Sequence, residues 1–282
     1  ISSNGGITTR YAQWTQNAYT VTFIDGFSGS TISTVGVNYG HAATEPSRPR
    51  HAGYTATGWD KDFANIKNDT TVTLHYRPNR YTIKFDGNST GAIGMTPDVN
   101  AEYDKQVNLT KNGYSLNGHK WLMWTTDKDG NGQQYSDKQS VMNLASIDGA
   151  TVTLYAQWKT NRYSITFIDG KTNDVISRQE VEYGKGATAP EKPVHKGYLP
   201  SSWSNDFSSI KSDMTIVVTY TPIKYTIKFN ANCNAYTGSM VPMTMEFDQN
   251  ANLTENGFNR LGYRFIGWAT SSNGAIIYQD KS

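Results

Sequence analysis

A shift of 144 residues lays the chain on itself: Tyr19-Thr-Val-Thr-Phe-Ile-Asp-Gly26 falls on Tyr163-Ser-Ile-Thr-Phe-Ile-Asp-Gly170, and Tyr81-Thr-Ile-Lys-Phe85 falls on Tyr225-Thr-Ile-Lys-Phe229. A fixed internal period sets the architecture before any other signal, because each copy must be a similar small structure. An array of small, similar domains suits a spacer or an adhesive stalk better than an enzyme.

Two kinds of repeat alternate. The short kind spans 15–79 and recurs at 160–223. It opens with the alternating stretch Tyr19-Thr-Val-Thr-Phe-Ile24, turns at Asp25-Gly26, and continues through Thr31 to Tyr39. Period-two alternation around a Gly-bearing turn predicts a hairpin. Pro46 and Pro49, matched by Pro190 and Pro193, predict a loop, since proline cannot donate to a sheet ladder. Gly53-Tyr54 to Trp59 and Thr71 to Tyr76 read as further strands, and Asp62 to Lys67 as at most a short helix. The long kind spans 80–159 with a partner at 224–282. It has the same outline, closing at Thr151-Val-Thr-Leu-Tyr-Ala-Gln-Trp158. We number the four repeats one to four along the chain. The links between them are short and two contain proline (Arg77-Pro-Asn-Arg80, Thr221-Pro-Ile-Lys224), which predicts an elongated, semi-rigid row.

The ends carry their own expectations. Residues 1–14 finish in Tyr11-Ala-Gln-Trp14, the pattern of Tyr155-Ala-Gln-Trp158, and read as the closing strand of a preceding unit. Repeat four stops after Tyr278-Gln-Asp-Lys-Ser282, the counterpart of Tyr135-Ser-Asp-Lys-Gln139, and reads as lacking its closing strand. Unpaired strand edges recruit strands. Ile7, Tyr11 and Trp14 are therefore candidate interaction residues, completing repeat four of another copy by strand addition. The plainer reading is a piece cut from a longer array.

The long repeats also resemble a known family. Thr237-Gly-Ser-Met240, Asn256-Gly-Phe258, Arg260-Leu-Gly-Tyr263-Arg-Phe-Ile-Gly-Trp268, Tyr278 and the closing Tyr155-Ala-Gln-Trp158 resemble the Listeria–Bacteroides repeat, the internalin B-type B-repeat. The short repeats look like shorter relatives. Two departures stand out: Lys120-Trp-Leu-Met-Trp124 replaces the Gly-Tyr-x-Phe-x-Gly-Trp run, and Ser202-Trp203 lacks the glycine. The resemblance implies small α+β, β-grasp-like units, mostly sheet with little helix, in secreted or cell-surface bacterial proteins. It implies no catalytic activity, and it transfers no binding residues.

Composition narrows the remaining classes. Net charge is +2 without a basic run, which gives no footprint for nucleic acid. No stretch approaches the ~20 apolar residues of a membrane span, so no membrane insertion is expected in this segment. The single cysteine, Cys233, excludes an internal disulfide framework. Trp59, Trp124, Trp203 and Trp268 recur at one repeat position, and Trp14 and Trp158 at another, as packing residues of small domains would. Trp121 does not recur and is the candidate for an exposed glycan or host-surface contact. Asp127, Asp129 and Asn131 resemble the start of a calcium loop. Its twelfth position is Lys138 rather than Glu, and the partner loop Thr270 to Gly274 has no acid, so an acidic hairpin turn is the simpler reading. His51 and His195 sit at matched positions before Gly-Tyr. No nucleophile motif such as G-x-S-x-G appears, and no cofactor is implied. The expectation is a mainly β, non-enzymatic stalk or adhesin segment. A filament subunit joined head to tail and a carbohydrate-binding module are the alternatives.

Overall fold

The structure is a computed structural model that describes residues 5–282, so residues 1–4 of the expected N-terminal closing strand lie outside the described residues. The chain divides into two compact bodies, one up to Lys159 and one from Thr160. Each holds one short and one long repeat.

Repeat one is a four-stranded sheet built from β1 (Ala18–Asp25), β2 (Thr31–Asn38), β3 (Tyr54–Trp59) and β4 (Thr70–Pro78), in the order β2-β1-β4-β3. The outer pairs are antiparallel, and the central pair is parallel, with Val21 opposite Thr70 and Asp25 opposite Leu74. Alternation puts Val21, Phe23 and Asp25 on one face of β1 and Val72 and Leu74 on the matching face of β4. Trp59 and Phe63 meet Phe23 edge-on at 5.0 and 5.2 Å, the geometry that ring quadrupoles favour.

Repeat two keeps this order in a larger form. Its strands are β5 (Arg80–Asp86), β6 (Ala92–Gly94), β7 (Val99–Glu102), β8 (Val107–Asn108), β9 (Tyr114–Leu116), β10 (His119–Thr125), β11 (Gln134–Tyr135), β12 (Ser140–Val141) and β13 (Ala150–Thr160). The main sheet runs β11-β10-β13-β5-β7, with β13 parallel to β5; β6 pairs β9 and β8 pairs β12 at the side. Tyr81, Ile83, Phe85, Leu109, Trp124 and Leu154 form the core.

Repeat three comprises β14 (Arg162–Asp169), β15 (Val175–Glu182), β16 (Tyr198–Trp203) and β17 (Met214–Pro222), in the same order as repeat one, with Phe167 between Trp203 and Phe207. The missing glycine matters locally. In repeat one the ladder resumes at Gly58 (φ +143°) after a bulge, whereas in repeat three it resumes only at Trp203. Serine does not adopt that backbone freely.

Repeat four contains β18 (Lys224–Ile227), β19 (Thr237–Gly238), β20 (Met243–Glu246) and β21 (Phe258–Asn259). β18 pairs β20, β19 pairs β21, and Trp268 bridges Tyr278 as Trp124 pairs Tyr135. Among the described residues no strand lies between Trp268 and β18, the place that β13 takes in repeat two.

No helix occurs among the described residues. The segment 62–67, read as at most a short helix, is a loop. Its backbone bonds go sideways to another loop: Ala43 N donates to Phe63 O, Ile66 N to His41 O, and Gly40 N to Ile66 O. Burying Ile66 under the sheet decides this, because a six-residue helix is too short to be stable on its own.

Candidate functional site

Two side-chain constellations recur with the 144-residue period. The first is a buried acid beneath each short repeat. β1 ends at Asp25, and the turn that follows needs glycine at 26, because a Cβ there would collide with the Leu74 carbonyl. The Asp25 carboxylate, almost fully buried, accepts the Phe27 amide (3.0 Å) and the Ser28 hydroxyl (2.9 Å). His51 Nε2 lies 2.8 Å from its Oδ2. An ionised carboxylate only accepts, so Nε2 carries the hydrogen. The His51 ring stacks on Phe27 at 4.2 Å and meets Tyr76 edge-on. Burial pushes the Asp25 carboxyl up, but the Phe27 amide, the Ser28 hydroxyl and His51 outweigh it and hold it below the usual range. Burial and the Asp25 charge raise Tyr76.

Repeat three rebuilds the cluster with Asp169, His195 (2.6 Å) and Tyr220. Lys171 replaces Phe27 and sets its ammonium 3.6 Å from the centre of the Tyr198 ring. In both copies the tyrosine hydroxyl donates to a proline carbonyl, Pro49 or Pro193, so the cluster pins the proline loop to the sheet. The Ser28 hydroxyl of the first cluster donates to Asp25, and its place in the second is taken by Thr172. Their chemistry is that of a structural clasp.

The second constellation is the joint between a short repeat and the long one after it. Only Asn79 separates β4 from β5. It is buried, and its groups are all used. Its amide donates to Gly53 O (2.7 Å) and its carbonyl accepts Tyr103 N (2.9 Å). Its side chain accepts the Thr55 hydroxyl and donates to Ser146 O (2.7 Å). Gly53 sits at φ +80° with the Tyr103 ring against its Cα, where any Cβ would collide. Tyr54 donates to Asp104 Oδ2 (2.8 Å). Arg77 grips Asp148 with two nitrogens (2.9 and 2.6 Å), and the guanidinium and the Arg80 amide hold that carboxyl far below its usual range. In the second body Gly197, Tyr198, Ile223, Phe247 and Asp248 repeat the backbone bonds, the ring on glycine, and the tyrosine–aspartate bond (2.8 Å).

The residues singled out in the sequence lie elsewhere. Trp121 is half-buried against the core of repeat two, 5.6 Å from Trp124, with its indole nitrogen enclosed. Asp127 accepts the Asp129 amide (2.7 Å), and its carbonyl receives Thr125 and Gln157, so the loop with Asp129 and Asn131 is tied to itself as a turn. Among the described residues no three His, Cys, Asp or Glu side chains gather to hold a metal. Ile7, Tyr11 and Trp14 are exposed, at 96, 82 and 91%, in a segment without assigned strand. Aligning Trp14 with Trp158 puts Arg10 at the place of Leu154, which is fully buried in β13. Burying a guanidinium there without a partner would cost several kcal/mol, so residues 7–14 could close a long repeat only with a partner for Arg10. The acid clasp was not recognised in the sequence. Its signal was present, as aspartate-glycine followed 26 residues after the aspartate by histidine in both short repeats.

Comparison with known proteins agrees with the repeat pattern. The chain is 28% identical over 252 residues to a protein of Evansella cellulosilytica provisionally named a Gly-rich membrane protein, covering 77% of this chain and 27% of that one. A second protein of the same organism, provisionally named a membrane protein, is 30% identical over 169 residues, 55% of this chain and 24% of that one. The chain thus spans about a quarter of each relative's length. Among the described residues no helix is long and apolar enough to cross a membrane. The crystal structure of Mub-RV matches half of this chain and 98% of its own at 16% identity, with a TM-score of 0.15, too low to support any argument. The model of the Listeria-Bacteroides repeat domain matches four times, at residues 19–77, 81–157, 163–222 and 225–282. With nearly all of its length accounted for by these four matches, the chain belongs to the Listeria-Bacteroides repeat domain family.

Proposed function

We propose that this chain is a non-enzymatic spacer segment of a bacterial cell-surface protein. One observation carries the reading: the joint between a short repeat and the long one after it recurs with the period, with Gly53, Tyr54 and Asp104 matched by Gly197, Tyr198 and Asp248, and the first joint adds polar ties of its own. Asn79 is buried between repeats one and two with its backbone and side chain all bonded, and Arg77 and Asp148 clamp the same joint. A catalytic or ligand-binding array would keep its recurring polar groups free for a substrate. Its membership in the repeat family and the membrane-protein names of its longer relatives support a place at the cell surface.

The test is an in-frame deletion of one 144-residue period, residues 80–223, in the full surface protein with a tag beyond the array. A spacer predicts that the tag becomes less accessible to antibody above the cell wall while the protein's ligand repertoire is unchanged. Loss of a specific ligand, with tag accessibility intact, would make this segment an adhesin instead.

A further inference from the structure

The joint distinguishes which repeat follows which. Each repeat has a corner after the strand that pairs antiparallel with its first: Tyr39-Gly40, Tyr103-Asp104, Tyr183-Gly184 and Phe247-Asp248. In all four the aromatic amide donates to the carbonyl of the linking residue, Asn17, Asn79, Asn161 or Ile223. The second corner residue always lies in left-handed backbone, with φ of 77°, 60°, 76° and 57°. Glycine adopts that conformation freely and takes it in both short repeats. The long repeats put aspartate there, an uncommon choice at φ > 0 that needs a local reason.

The reason common to both long repeats is across the joint. Asp104 uses Oδ1 to accept Asn143 and Oδ2 to accept the Tyr54 hydroxyl. Asp248 likewise accepts the Tyr198 hydroxyl, at the same 2.8 Å. The bond shared by the two is the one to the preceding short repeat. It lies beside Gly53 or Gly197, each pressed on the aromatic ring of the same corner. The acid clasp sits two residues upstream, where His51 and His195 pin the loop that carries each Gly-Tyr pair.

We propose that the Gly-Tyr corner of each short repeat is a socket specific for an aromatic–aspartate corner, so that it takes a long repeat, and not a short one, in the following place. A short repeat in the following place would offer glycine to the tyrosine hydroxyl and leave it unbonded. This preference stands whether or not the array serves as a spacer.

Amide hydrogen exchange on the full chain tests this, read at Asn79 and Tyr103, whose N–H bonds cross the joint. Tyr54→Phe removes only the hydroxyl, and Asp104→Gly installs the corner of the short repeats. Each should speed exchange at these two amides about tenfold. The double variant should be no faster than Asp104→Gly alone, because that variant already lacks the Tyr54–Asp104 bond. Amides in β1 and β13 should keep their rates. Tyr198→Phe and Asp248→Gly should act alike at Ile223 and Phe247. Unchanged rates at the joint amides, additive losses, or equal acceleration in β1 and β13 would each overturn the proposal. The last outcome would mean that the variants weaken both repeats generally rather than the joint.

Discussion

Trp124 in repeat two is fully buried, and its counterpart Trp268 in repeat four is half-buried. Tyr81 is 2% exposed, and its counterpart Tyr225 is 45% exposed. The local devices around them are nevertheless the same. Asn88 and Asn232 both take left-handed backbone and donate to a loop carbonyl, Lys128 O or Ser272 O. Asn112 and Asn256 both donate their backbone amide to an aspartate, Asp137 or Asp280, and accept with Oδ1 the amide of the aromatic residue two positions on. Phe85 meets Trp124 at 4.8 Å, and Phe229 meets Trp268 at 4.9 Å. What differs is β13, which lies between β10 and β5 and brings Leu154 and Ala156 into the core. Short-range hydrogen bonds can therefore shape the loops of a long repeat by themselves, whereas burial of its core waits for a strand from far along the chain.

The comparison breaks hardest at Leu154. Leu154→Arg gives repeat two the residue found at Arg10, and it should remove about 5 kcal/mol or more, enough to unfold that repeat. Urea unfolding followed at Tyr81 and Trp124 would show this, while repeat four should not change. If repeat two survived, β13 would not be its keystone, and residues 7–14 would return as a competent closing strand.

Next in size is the tryptophan pair. Trp124→Ala should cost about 4 kcal/mol, the range for a buried aromatic. Trp268→Ala should cost about 1 kcal/mol, because much of its surface is still in water. Exchange rates read separately in the two repeats would check the ratio. Equal costs would mean that repeat four is packed as well as repeat two.

The short repeats supply a pH contrast. The Asp25 and Asp169 carboxyls are held below their usual range, so the folded state binds their protons more weakly than the unfolded state. Their contribution is complete above about pH 4, the unfolded carboxyl value, and is lost as pH falls through the depressed folded values. Asp25→Ala should cost about 2 kcal/mol at neutral pH by stranding the Phe27 amide and His51. Asp25→Asn should flatten the acid limb of repeat one, measured by thermal unfolding between pH 2 and 6. An unchanged acid limb would remove Asp25 as its source.

The smallest effect belongs to Arg77→Ala. The Arg77–Asp148 pair is exposed on both sides, so solvent and salt screen it. The change should fall within the scatter of ordinary surface substitutions in overall unfolding, yet speed exchange at the Arg80 amide, which also bonds Asp148. High salt should erase the difference. A large global loss would make this pair, rather than Asn79, the main tie of the joint.

Much of the fold was legible because it is periodic. The alternation in Tyr19 to Ile24 gives a strand with Val21 and Phe23 inward, and the recurrence of Trp59, Trp124 and Trp203 marks rings that pack on Phe23, Phe85 and Phe167. The match of Tyr278 to Tyr135 appears as the bridge to Trp268. The site was less legible. Trp121 reads as a free aromatic because it does not recur, yet it packs beside Trp124. Asp127 reads more simply as part of an acidic turn than as a ligand, and it accepts the Asp129 amide within that turn. Asp25 and His51 are ordinary residues in sequence. Only a sheet that brings the loop at 51 back under the end of β1 makes them partners.

The sequence alone determined that this chain is a β array of two alternating repeat kinds, because alternation, turn glycines and a 144-residue period are local or self-referential properties. The tertiary structure decided what the repeated polar residues are for. Asn79, Tyr54 and Asp104 acquire their roles only when two repeats meet, and Asp25 only when a distant loop covers it. The physical reason is that a buried polar group is defined by the partner that satisfies it, and these partners lie 24 to 67 residues away along the chain.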